Sequence, residues 1–380
     1  MIYFDHAATT AIYPEALVSY QEVATKIMGN PSSLHQLGTQ ATRILEASRK
    51  QIAELLGMTP AELFFTSGGT ESDNWAIKGV AFEKSAIGKH ILISDIEHPA
   101  VSESARWLAS EGFEVERIPV DITGRVQQDV LANMICKDTI LVSVMAVNNE
   151  VGAIQPIAAI SQLLEDYPGI TFHVDGVQAL GHLPLTEFMT PRVDMASFSA
   201  HKLHGPRGVG FLYVKKGKRL TPLLHGGGQE TAQRATTENV PGIAATAKAM
   251  RLSIEGQERA MAHISHLSNA LYEGLSHFSH VTLFSRQESC VPNIVTFGIR
   301  NLRGEVLVHA LEEKDIYIST TSACSSKAGQ APGTLLAMGI PKKEAETAVR
   351  ISLDASNTMA EVDQFLRQFT AIYQQTESIR

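Results

Sequence analysis

His173-Val174-Asp175-Gly176-Val177-Gln178 and, a short segment later, Ser197-Phe198-Ser199-Ala200-His201-Lys202 are the stretches whose reading decides the fold of this chain. Each polar group closes an apolar, β-rich run, 170–174 in the first case and 193–198 in the second. In open α/β sheets, ligands sit beyond the carboxyl ends of the strands, so an aspartate and a lysine at two such ends can face one site. Taken singly, an aspartate there is an ordinary turn former and a lysine an ordinary solvated tip. The joint order carries the reading.

Outward from this stretch, apolar runs alternate with helical patterns. Residues 63–66, 90–94, 139–145 and 208–214 read as strands, and 34–57, 71–82, 100–109 and 157–164 as helices. The helix over 34–57 carries an apolar stripe of Leu34, Leu37, Ala41, Ile44, Leu45, Ile52, Leu55 and Leu56. The alternation predicts an α/β fold with a mainly parallel, seven-stranded sheet covered on both faces. After Pro241 a long helical pattern over 242–277 leads to strands at 281–284, 293–297 and 349–353 and helices at 303–312 and 359–374. The expected division is a large domain over 14–250 and a smaller C-terminal α/β domain over 251–380, joined by residues 1–13.

Composition narrows the function classes. The chain has 380 residues, 44% hydrophobic and 19% charged, as an ordinary two-domain globular protein does. A net charge of −8 with no basic block argues against a direct nucleic-acid partner. No apolar run approaches the ~18 residues of a membrane span, and patterned sequence begins at Met1, which predicts no targeting segment. The three cysteines, Cys136, Cys290 and Cys324, are far apart and odd in number, which predicts free thiols and a cytoplasmic location. Cys136, in an apolar stretch, reads as a buried small hydrophobe. No metal-ligand spacing is present among the histidines.

The residue types fit pyridoxal phosphate. The Lys202 amine can form a Schiff base with its aldehyde, and Asp175 can pair with its ring nitrogen through a charge-assisted hydrogen bond. Ser67-Gly68-Gly69-Thr70-Glu71 lies between a strand and a helix, where glycines and unpaired N–H groups suit a phosphate. This segment also reads as a plain capped turn. It is neither a nucleotide P-loop nor a dinucleotide fingerprint. Cys324 differs from the other cysteines: its neighbours, Ser322-Ala323 and Ser325-Ser326-Lys327, are small and polar, and Lys327 favours the reactive thiolate. Arg350, 26 residues on, is either an outward strand residue or a fork for a substrate carboxylate.

These motifs, with Tyr3-Phe4-Asp5-His6-Ala7-Ala8-Thr9-Thr10, Gly29-Asn30-Pro31-Ser32-Ser33, Glu97-His98 and Val147-Asn148-Asn149-Glu150-Val151-Gly152, resemble the cysteine desulfurases of aminotransferase class V, which have the type I pyridoxal-phosphate fold. The stretch from Cys324 to Arg350 resembles the group with an extended cysteine loop. The resemblance implies that Lys202 holds pyridoxal 5'-phosphate, Asp175 its ring nitrogen and Gln178 its ring hydroxyl. It implies that His98 stacks on the ring and takes part in proton transfer, and that Gly69, Thr70, Ser199 and His201 hold the phosphate. Asn149 and Arg350, helped by Asn30, would orient the carboxylate of L-cysteine. Cys324 would take the sulfur as a persulfide and pass it to an acceptor protein, leaving L-alanine. Thr237 would reach the phosphate of a second subunit, implying a homodimer. The acceptor stays open among an iron–sulfur scaffold, a tRNA-thiolation enzyme and a thiamine-pathway protein. Another pyridoxal-phosphate reaction (transamination or selenocysteine cleavage) and a non-catalytic dimeric partner remain as alternatives.

Four positions depart from the family pattern. Ala200, Thr236, Thr321 and Asp354 stand where glycines are usual. At Thr236 a backbone needing positive φ would be strained, and at Thr321 the cysteine loop is expected to be stiffer.

Overall fold

The computed structural model describes residues 1–321 and 333–378. In chain order its strands are β1 (Ile2–Tyr3), β2 (Leu63–Thr66), β3 (His90–Ser94), β4 (Glu114–Ile118), β5 (Thr139–Ser143), β6 (Thr171–Asp175), β7 (Met195–Ser199), β8 (Gly210–Val214), β9 (Val281–Leu283), β10 (Ile294–Ile299), β11 (Ile316–Tyr317), β12 (Ser319–Thr320) and β13 (Ala348–Ser352). Seven of them form one sheet in the order β2-β8-β7-β6-β5-β3-β4. β8 runs antiparallel to both neighbours, and the other pairings are parallel. β3, β5, β6 and β7 are buried along their whole length, which is why they read as continuous apolar runs. β4, Glu-Val-Glu-Arg-Ile, escaped the sequence reading: it is the sheet edge, and its charges are the usual protection of an edge strand.

A second sheet has the order β12-β13-β10-β9. Its core of Val295, Phe297, Val349, Ile351, Phe365 and Phe369 also takes in Ile2 and Phe4 from the chain start. One helix, Val240–Ser276, serves both cores. Ile243, Ala247 and Met250 pack with the large sheet, whereas Ile264, Leu267, Leu271 and Leu275 pack with the small one. Position 250 lies inside this helix, and no loop separates the two halves there.

Two expectations about single residues need correction. The helix expected over 34–57 is Gln36–Leu55. Leu34 lies before it, fully exposed, and Leu37 is also exposed, so neither belongs to the buried stripe that Ala41, Leu45 and Ile52 form. Cys136 is exposed rather than buried. It sits just before β5, with its Sγ 3.4 Å from His90 Nδ1.

Glycine brings two turns of the large sheet together. A Cβ on Gly210 would lie 2.5 Å from Gly68 Cα and 2.6 Å from the Phe198 carbonyl oxygen. Both are backbone atoms, so β8 can lie against the 67–70 turn only without a side chain. Gly210→Ala should cost about 1–3 kcal/mol by overpacking and lower the thermal midpoint. An unchanged midpoint would show that this turn is not pinned by β8.

Candidate active site

Two strand ends and the start of one helix converge on a cavity of about 400 Å³. β6 ends at Asp175 and β7 at Ser199, followed by a 3-10 turn, Ala200–Lys202, that carries His201 and Lys202. The helix Gly69–Glu83 begins at the cavity with no side-chain cap, so its first N–H groups are available to an anion. A Cβ on Gly69 would meet Val177 Cγ2 at 2.9 Å, so this position also favours glycine.

Of the residues singled out from sequence, Gly69, Thr70, His98, Asn149, Asp175, Gln178, Ser199, His201, Lys202 and Arg350 all line the cavity. Asn30 and Thr237 do not. Asn30 is exposed and its Oδ1 accepts from the Ser32 N–H at 2.8 Å. Thr237 is exposed beside a separate small cavity with Thr66, Ser67 and Arg234. Cys324 lies outside the described residues. Thr236 is not among the described residues with positive φ; nearby, that conformation falls on Glu230, Thr231 and Ala232. There the strain is held by an ion pair, with Arg49 Nη1 and Nη2 donating to the Glu230 carboxylate at 2.9 and 2.7 Å and the Phe65 N–H donating at 2.9 Å.

Lys202 Nζ donates to the carbonyls of Ala7 and Ala8 at 2.5 and 2.8 Å. Gln178 Nε2 donates to the same Ala7 carbonyl at 3.0 Å. Asp175 Oδ1 accepts from the Val177 N–H at 2.9 Å. Burial pushes the Asp175 carboxyl up to about 6, against the pull of that hydrogen bond and of the Lys202 ammonium. A cationic ring nitrogen in the cavity would offset that desolvation. The buried Asp175, the uncapped helix start and the nearby hydroxyls of Ser199 and Thr70 therefore fit pyridoxal phosphate.

His98 caps the helix Pro99–Ser110, its Nδ1 accepting from the Ala100 N–H at 3.1 Å. That bond assigns the proton to Nε2. Burial, with the nearby Lys202 charge, pushes the ring down to about 4, so His98 is a neutral N–H donor. Arg350 donates from Nη1 to the Asn149 carbonyl at 2.7 Å and from Nη2 to Asp5 Oδ1 at 2.9 Å. Its Nε is buried with no partner. Asp354, at the other glycine position, accepts from His204 Nε2 at 2.9 Å, and that partner holds its carboxyl well below the usual range despite burial.

Three carboxyl groups were overlooked in the sequence reading: Asp73, Glu97 and Glu150. Asp73 and Glu150 line the cavity, and each of the three has one buried oxygen without a partner. Burial, then the Asp175 charge, raises Asp73 well above its usual range. The neighbouring His173 is kept neutral by burial, bridging Ser143 Oγ at 2.8 Å and Ser197 Oγ at 2.9 Å. Glu97 Oε1 accepts from Ser94 Oγ at 2.5 Å and the Met145 N–H at 2.7 Å, yet burial pushes its carboxyl up to about 8. The signal was adjacency: Glu97 and Glu150 lie within motifs quoted for other residues, and Asp73 follows Glu71 by two residues.

The aminotransferase class-V family model matches residues 2–365. The chain is 51% identical over 380 residues to a NifS/IcsS protein homolog of Lactobacillus delbrueckii subsp. bulgaricus, covering 100% of this chain and 99% of that protein. It is 41% identical over 378 residues to a cysteine desulfurase IscS of Methanosarcina thermophila, covering 100% and 93%. A solved NifS-like protein superposes with a TM-score of 0.92 at 38% identity, with 100% of both chains covered.

Glu97 has a pH signature. Its contribution to stability is fully present below the ordinary carboxyl value of 4.5 and is lost as pH rises through the folded value of about 8. The thermal midpoint should fall from about pH 5 to about pH 9, and less steeply in Glu97→Gln. Parallel falls in the two proteins would rule out a neutral Glu97.

Proposed function

This chain belongs to the aminotransferase class-V family, and from that premise we infer that it is a pyridoxal-phosphate-dependent cysteine desulfurase. The observation that carries the reading is the one cavity shared by Lys202, Asp175 and Arg350: an amine, a buried carboxylate and a guanidinium. When bound, pyridoxal phosphate supplies an electron sink that acidifies Cα of an amino acid and weakens its Cβ–sulfur bond.

The chain's own groups supply the rest. Lys202 would hold the cofactor, and its Nζ would take the Cα proton of the substrate. Asp175 would keep the ring nitrogen cationic, Gln178 would hold the ring hydroxyl, and the helix start at Gly69 and Thr70, with Ser199 and His201, would hold the phosphate. His98, in the cavity wall, would offer its Nε2 proton. Arg350 and Asn149 orient the substrate carboxylate. The Cys324 thiolate attacks the substrate sulfur, so that L-cysteine and a thiol become L-alanine and a persulfide, with no outside oxidant. The sulfur then passes to an acceptor protein. Small polar neighbours and the long interval to Arg350 support an extended loop around Cys324, and free thiols suit the cytoplasm.

Cofactor and thiol roles separate experimentally. Lys202→Ala should lack the visible absorbance band that the wild type develops with added pyridoxal phosphate. Cys324→Ala should keep the band but lose sulfide release from L-cysteine in the presence of a thiol reductant. Full sulfide release by Cys324→Ala would sink the persulfide route.

We also propose a homodimer. Met28, Leu34 and Leu37 are exposed apolar residues in one short stretch, a surface that a second copy would cover. Thr237, exposed and away from its own cavity, suits the cross-subunit phosphate contact. Leu34→Glu should shift the sedimentation of the holoprotein toward the monomer. Wild-type sedimentation as a monomer at micromolar concentration would exclude this assembly.

A further inference from the structure

The wall of the cavity nearest the small sheet carries a hydroxyl that no role above uses. Thr321 lines the cavity, is 2% exposed, and its Oγ1 has no hydrogen-bond partner. A buried hydroxyl left unsatisfied is costly, on the order of 1–3 kcal/mol. Such a group in a ligand cavity is accounted for when the ligand completes it.

The end of β12 places it beside Arg350. β12 pairs antiparallel with β13, with Ser319 opposite Arg350. Directly opposed residues project to the same face of a sheet, so Ser319 and Arg350 share one face. Thr321 directly follows the last residue of β12, and its side chain and that of Arg350 line the same cavity. Arg350 Nε is likewise buried without a partner, while its Nη1 and Nη2 are engaged by Asn149 and Asp5. Two unsatisfied donors, one neutral and one cationic, thus share one wall.

We propose that Thr321 is a substrate-binding residue whose Oγ1 donates a hydrogen bond to the α-carboxylate of the amino acid, beside Arg350 Nε. A glycine at this position could offer no hydroxyl, so the departure from the family pattern noted in the sequence adds a donor to the site. The inference rests on the desulfurase reading and names a further determinant of how that site takes its substrate.

The test uses the holoenzyme and three forms: wild type, Thr321→Ser and the near-isosteric Thr321→Val. Binding of L-alanine, which has the carboxylate but no thiol, is followed by the change in the cofactor's absorbance. KM and kcat are measured with L-cysteine. Loss of a hydrogen bond to a charged group should weaken L-alanine binding roughly tenfold or more in Thr321→Val. KM for L-cysteine should rise in parallel, with kcat nearly unchanged. Thr321→Ser should bind as the wild type does, which a purely structural role for the methyl group would not give. Equal L-alanine affinity in wild type and Thr321→Val overturns the proposal while leaving the desulfurase reading intact. A loss confined to L-cysteine also overturns it, because the hydroxyl would then face the sulfur. If the wild-type holoenzyme forms no alanine from L-cysteine, the functional reading fails and the proposal fails with it.

Discussion

The Ala7 carbonyl anchors the site. It accepts from both Lys202 Nζ and Gln178 Nε2, so two chain segments that must meet at one ligand are tied to a third. A lysine withdrawn from water needs oxygen partners, and the segment Phe4–Thr10 delivers them. The same segment reaches in both directions. Thr10 bonds the His201 carbonyl through N–H and hydroxyl at 3.0 and 2.9 Å. Asp5 takes Arg350 Nη2, and the Ala7 N–H donates to Ser352 Oγ at 2.8 Å. The first ten residues are thus the seam along which the two cores close on the cavity.

Around that seam gather four buried carboxyl groups. Asp73, Glu97, Glu150 and Asp175 are all pushed upward, and in each case burial is the largest cause. One of them, Asp175, also has Lys202 nearby to favour its charge. Another, Glu150, has Arg350. Asp73 and Glu97 are instead raised further by the Asp175 charge. The resulting order is physical: one carboxylate set to carry charge, others around it held toward the neutral form.

Much of this was legible beforehand. Continuous apolar runs gave β3, β5, β6 and β7 because those strands are buried on both faces. The polar residues closing β6 and β7 marked the cavity because a parallel sheet puts its ligand there. What escaped had a physical cause. β4 is a charged edge strand with no apolar run to find. Leu34 follows the period of a helix that begins only at Gln36, and pattern alone does not tell an apolar face that meets its own core from one left open. Asp73, Glu97 and Glu150 carry no sign of their burial in the sequence, because their environment depends on elements distant along the chain. The strain foreseen at Thr236 falls instead at Glu230–Ala232, where Arg49 holds it from another helix.

The helix Val240–Ser276 has a bearing on how this protein could be taken apart. Its first turns belong to one core and its last turns to the other, so the rod is common property. A cut at its midpoint would leave each fragment with a ragged stub and an uncovered hydrophobic floor. Severing the chain there would uncover apolar surface of both cores, and melting of either half would withdraw a wall from its neighbour. Heat or denaturant should act on the whole molecule as a single unit.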